Sequence, residues 1–152
     1  MSRFSRFSSP VWLLGFLLSG AVLAAEPPIV QKPFSTHHIV LQISDGSALK
    51  QGLVLNVAGN LMRHYGADKL DLEVVAFGPG LRLLLDSNVN KARISALAKN
   101  YDVKFDACGN TLSNFTQRLG YTPKLVPEAV VVPAGAARIV QLVTHGYVLL
   151  RP

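Results

Sequence analysis

Apolar positions along the chain switch repeatedly between two spacings, and the switches mark the elements. In HHIVLQIS, residues 37–44, Ile39, Leu41 and Ile43 alternate with Val40 and Gln42, the pattern of a largely buried strand. Asp45 and Gly46 end it, and Ser47 is a suitable N-cap for the helix predicted to run to Gly66. On that helix Leu49, Leu53, Val57, Leu61 and His64 form one stripe, and Leu55, Ala58 and Met62 a second. One face against a sheet would not bury both, so Leu55 and Met62 are expected near a subunit contact.

The alternation then repeats. LDLEVVAFG (70–78) reads as a strand, PGLRLLLDS as a short helical segment, and VNKARISALAKNY (89–101) as a helix with Ile94 and Leu97 inward. DVKFDAC (102–108) is a third strand, and NTLSNFTQRLG (110–120) a helix capped by Asn110 and closed by Gly120. AVVVP (129–133), a helix around AGAARIVQLVTHG and a last strand in YVLLRP complete the series. Strands alternating with helices over residues 37–152 predict one α/β domain, a three-layer sandwich around a mainly parallel sheet.

Upstream, EPPIVQKPFST (26–36) carries three prolines and reads as an extended leader. Before it, Arg3 and Arg6 precede the uninterrupted apolar run 11–24, and VLAAEPP offers small residues for a signal peptidase. A membrane-spanning helix needs roughly 20 apolar residues, so residues 1–25 are expected to be a cleaved signal peptide, not a permanent membrane anchor. The expected compartment is the periplasm. Loss of two arginines leaves thirteen bases against nine acids, a net charge of +4. The bases are scattered singly with no aromatic ladder between them, which gives no nucleic-acid footprint.

Candidate chemistry follows from the topology. Ligands of open α/β sheets sit outside the carboxyl ends of the strands. Three segments fall there: Ser44-Asp45-Gly46, Gly78-Pro79-Gly80 and Cys108-Gly109-Asn110-Thr111. Ser44, Asp45, Gly78, Gly80, Gly109, Asn110 and Thr111 are therefore candidate ligand-binding residues, because their glycines permit close backbone approach and a helix start favours an anion. Cys108 is the only cysteine. A thiol at this rim is expected to be partly exposed and acidified, although a buried cysteine packed among Val103, Phe105 and Leu112 needs no function. His37, His38, His64 and His145 stand at no ligand spacing with Cys108, so no metal and no cofactor are expected. GPG lacks the spacings of a nucleotide loop, and Asp45 and Asp86 each follow an element, where a carboxylate caps a helix as readily as it moves a proton. Ser44 has no histidine and acid at a triad spacing, and the NFT sequon at Asn114 falls inside a predicted helix.

HHIVLQISDG, LEVVAFGPGLRLLL, ISALAKNYDVKFDACGNTL, VVVPAGAARIVQL and GYVLLRP, in that order, resemble the DsrE/DsrF-like proteins, small α/β domains grouped with sulfur-relay proteins. VVAFGPGL and the F-x-x-C-G-N-T segment are the most specific parts. The resemblance implies a homo-oligomer, commonly built from trimers, and a cysteine that carries sulfur as a persulfide. Only Cys108 qualifies, with Gly109, Asn110 and Thr111 as its frame. An export signal departs from the cytoplasmic members.

Two functional classes follow. One is a periplasmic protein whose Cys108 thiolate accepts a sulfane sulfur from a donor and passes it to an acceptor. The other is a non-enzymatic oligomeric module binding a small ligand or anion, with a structural cysteine. A single cysteine cannot form an internal disulfide, so a reactive one persists as a thiol, carries an adduct or pairs between chains.

Overall fold

The computed structural model describes residues 25–152. Except for Ala25, the expected signal segment lies outside the described residues. Five strands form one parallel sheet: β1 (His37–Ile43), β2 (Leu70–Ala76), β3 (Lys104–Cys108), β4 (Ala129–Val132) and β5 (Val148–Leu150). Their spatial order is β4-β3-β2-β1-β5. The helices are α1 (Ala48–Tyr65), α2 (Lys91–Tyr101), α3 (Gly109–Leu119) and α4 (Gly135–Thr144), and a 3-10 helix spans Gly78–Leu84.

This order explains the layers. From β1 to β4 the chain steps one strand at a time in a single direction, and right-handed crossovers put α1, α2 and α3 on one face. To reach β5 it must travel back past β1, and the same handedness puts α4 on the other face. The larger core lies on the three-helix side, where Leu41, Leu72, Val74 and Phe105 meet Val54, Leu55, Ala58, Met62 and Ile94. A smaller one on the α4 side gathers Val40, Val75, Ile139, Leu142 and Tyr147.

The expectation for α1 is corrected here. Leu55, Ala58 and Met62 form its core face together with Val54, while Leu49 is 80% and Leu53 39% exposed. The second stripe was the inward one, so Leu55 and Met62 are unavailable for a subunit contact. Ser47 does cap α1, its side chain accepting the Lys50 N–H. Helix α3 starts two residues earlier than expected, with Cys108 rather than Asn110 in the N-cap position, and Gly120 closes it in the left-handed conformation.

The leader has no helix or strand but is tied down across the α4 side. Pro27 O accepts from Arg138 Nη1 at 2.8 Å, Val30 O accepts from Lys104 Nζ, and Lys32 N donates to Asp71 Oδ2 at 3.1 Å. Ile29 packs on the smaller core. Among the described residues no helix is long and apolar enough to cross a membrane.

Candidate functional site: a thiol between two helix starts

Cys108 ends β3, and the period-2 alternation of the strand decides its surroundings. Phe105 and Ala107 point into the larger core, so Asp106 and Cys108 point to the α4 side. The cysteine is therefore not packed among Val103, Phe105 and Leu112. Two helices begin beside it. α3 follows it directly, and the first residue of α4, Gly135, packs so closely that a Cβ there would lie 3.1 Å from the Cβ of Cys108 and 3.1 Å from that of Phe77. Glycine at this position lets the start of α4 approach the thiol without displacing Cys108 or Phe77.

Burial pushes the thiol pKa up, but the Thr111 hydroxyl and the nearby backbone N–H groups of Gly135, Thr111 and Asn110 favour the thiolate and outweigh it, and the net shift is downward. The Asn110 N–H donates to Pro133 O at 3.2 Å. The shift has the direction expected at the rim, and a second helix start that the sequence did not reveal contributes to it. Its exposure is corrected: Cys108 is only 5% exposed.

The three rim segments do meet, through backbone more than through side chains. Gly78 N donates to Thr111 Oγ1 at 2.9 Å, and Gly80 N donates to Ser44 O at 3.1 Å. Gly80 is a packing glycine, since a Cβ there would sit 2.4 Å from Ile43 O. Gly109 likewise lets the end of β4 approach, with Val132 O 3.1 Å from its notional Cβ. Ser44 and Asp45 face elsewhere, lining a cavity of about 190 Å³ with Lys50, Arg151 and Pro152. Asp45 accepts the Ser47 N–H at 2.7 Å, which together with the Ser47 hydroxyl holds its carboxyl below the usual range. Asp86 is paired with Lys91 and Lys124. Both act as structural carboxylates.

Gly78 and Thr111 instead line an open groove of about 260 Å³ with Asn114, Phe115, Arg82 and Arg118. The last three continue into a larger groove of about 510 Å³ walled by Leu85, Val89 and Leu119. Neither Arg82 nor Arg118 has a carboxylate partner among the described residues.

A charged cluster that the sequence reading passed over lies on the same face of the sheet as Cys108. Arg138 Nε donates to Glu73 Oε1 at 2.6 Å and to Asp106 Oδ2 at 3.0 Å, all three side chains being buried. Beside them Asp71 accepts from Tyr147 Oη at 2.9 Å and pairs with Lys104 at 3.1 Å. Burial, then the Asp71 carboxylate, push the Tyr147 hydroxyl far up. A signal was there to be read. Asp71, Glu73 and Asp106 occupy alternate positions in strands of a parallel sheet, whose faces are both covered, so these acids needed a buried cation. Among the described residues no three His, Cys, Asp or Glu side chains gather as a metal site.

Comparison with known proteins agrees with this architecture. A structure from Methanobacterium thermoautotrophicum, the protein of unknown function MTH1491, superposes with a TM-score of 0.67 at 27% identity, covering 76% of this chain and 99% of that one. No functionally curated protein matches the sequence. The sequence model of the DsrE/DsrF-like family matches residues 37–152, the whole of the α/β domain, and the chain belongs to that family.

Proposed function

We propose that the protein handles sulfane sulfur at Cys108, as an exported homo-oligomer built from trimers. The observation that carries this reading is the donor set around the thiol: the Thr111 hydroxyl and N–H groups from the starts of both α3 and α4 favour the anionic sulfur. The thiolate attacks the outer sulfur of a persulfide or polysulfide donor. The donor S–S bond breaks, a Cys108–S bond forms, and the donor leaves as a thiolate, so the exchange needs no external oxidant or reductant. The same donors then stabilise the persulfide anion. Family membership supports the sulfur chemistry, which is linked to this family as a whole. Since Cys108 is buried, uptake requires a local opening at the start of α4 or at Phe77.

Incubation of the protein with polysulfide, followed by intact mass, should show one added sulfur that is absent in Cys108→Ser. Alkylation of Cys108 only after unfolding, with no sulfur gained, would overturn the proposal. The second reading, a non-enzymatic module for a small anion, is favoured in that event by the Arg82 and Arg118 groove beside Thr111. Export is tested separately by sequencing the native N-terminus, expected at Ala25 or Glu26.

A further inference from the structure

We propose that Glu73 and Asp106 hold a single proton between them beneath Arg138, and that ionisation of this pair governs the reactivity of the Cys108 thiol. Three observations meet here. First, the guanidinium Nε carries one hydrogen, yet an oxygen of each carboxylate lies within hydrogen-bond distance of it, at 2.6 and 3.0 Å. Two carboxylates converging on one N–H in a buried site repel each other unless one is protonated. Second, Glu73 Oε2 is buried with no donor in reach, and a carboxyl proton on the pair supplies one. Third, the ion pairs of the cluster leave one acid without a cation of its own. Lys104 answers Asp71, and Arg138 can answer one of the remaining two acids.

The surrounding groups leave the pair little other compensation. β2 contributes Asp71 and Glu73 to this face, β3 contributes Lys104 and Asp106, and α4 contributes Arg138. The Tyr147 hydroxyl and the Lys32 backbone N–H are both engaged with Asp71, the Lys32 ammonium is held by the carbonyls of Ala67, Leu70 and Tyr101, and the His38 ring lies tilted against Tyr147 with centroids 5.4 Å apart. Burial first, then the neighbouring Glu73, raise the Asp106 pKa to about 8, against the pull of Arg138.

Two links run from the pair to the thiol. Asp106 and Cys108 are two residues apart on one strand and share a face, which puts them about 7 Å apart along the strand. A charge at that range, in an effective dielectric of about 20, shifts a titration by on the order of one pH unit. In addition, Arg138 lies three residues after Gly135, so its grip on β2 and β3 holds the first turn of α4, and with it the Gly135 N–H, against the sulfur. Glu73, Asp106 and Arg138 are thus positioning residues. The inference deepens the sulfur-handling reading, but the shared proton stands apart from sulfur uptake.

The test is the rate of Cys108 alkylation against pH in the mature chain, set beside Asp106→Asn, whose amide can donate to Glu73 and accept from Arg138 as a protonated Asp106 would. Wild type should give a broadened profile, because the ionising pair opposes the thiolate, and Asp106→Asn a single steep ionisation with its midpoint lower by about half a unit or more. Infrared spectroscopy of wild type at pH 7 should show a protonated carboxyl C=O band, a reading made on the wild-type protein alone, and folded Asp106→Asn should lack it. Identical profiles in wild type and folded Asp106→Asn, or no such band at pH 7, would overturn the proposal. If sulfur uptake fails while the band and the profile difference are present, the sulfur reading falls and this one stands.

Discussion

Thr111 Oγ1 accepts the Gly78 N–H at 2.9 Å, and the same hydroxyl helps to hold the Cys108 thiol below its ordinary pKa. A single side chain thus joins the loop after β2 to the thiol at the end of β3. Its oxygen already accepts from a backbone donor, which leaves its proton free to favour the thiolate over the neutral thiol.

Thr111→Val, close in shape and lacking the hydroxyl, should raise the Cys108 pKa by about one unit, since a hydrogen bond to a charged group is worth about 1.5–3 kcal/mol. The pH midpoint of iodoacetamide alkylation would move up towards that of an ordinary thiol. A midpoint unchanged in the folded variant would assign the acidification to the helix starts alone.

Gly80→Ala tests how tightly the rim is built. The added Cβ would meet Ile43 O at 2.4 Å and Ser44 Cα at 2.9 Å, both backbone atoms of β1 or its continuation, which cannot swing away as a side chain would. Overpacking of this kind costs typically 1–3 kcal/mol. Urea denaturation should show a lower midpoint at unchanged slope, and a neutral result would mean the loop yields without cost.

Leu55→Asp distinguishes a core position from a subunit contact. Leu55 is 1% exposed within a single chain, so an unpaired carboxylate there should prevent folding, as seen in lost near-ultraviolet circular dichroism. Leu49→Asp, at 80% exposure, should leave monomer stability within about 0.5 kcal/mol. A folded but dissociated Leu55→Asp protein would restore this residue to an interface.

Much of the fold was legible because its elements carry opposite periods and strong ends. Ser47 and Gly120 mark α1 and α3 as expected, and β1 to β3 follow their apolar alternation. What periodicity could not decide was which of two apolar stripes on α1 faces the sheet, because both are rich enough to do so. The candidate site was legible as a rim but not in its parts. Ser44 and Asp45 fell on a separate cavity, and Gly135 entered from a segment 27 residues beyond Cys108 by a crossover to the opposite face. The Glu73–Arg138–Asp106 cluster was obscured by the habit of assigning charged residues to solvent. In a sheet covered on both faces that assignment fails for any acid inside a strand.

The pH dependence of stability follows from the same cluster. Burial and Glu73 raise Asp106 from 3.8 in the unfolded chain to about 8 in the folded one. Between those values the native state holds a proton that the unfolded state has released, so this group makes stability fall as pH rises, by up to roughly 1.4 kcal/mol per pH unit. Above about 8 both states are ionised there and the contribution levels off. Other groups act in the opposite sense. Asp45 and Asp86 are held low by hydrogen bonds from Ser47 and Lys91, and their contribution is complete above the unfolded carboxylate range. Cys108, also lowered on balance, adds stability as pH climbs through its folded value towards its unfolded one. Wild-type stability alone therefore mixes two slopes in the neutral to alkaline range. The difference between Asp106→Asn and wild type isolates the carboxyl and whatever part of the thiol ionisation is coupled to it. That difference should grow in favour of the variant from about pH 4 to pH 8 and then stay flat, as read from urea midpoints across pH. A constant difference over this range would mean that Asp106 is ionised in the native protein at neutral pH.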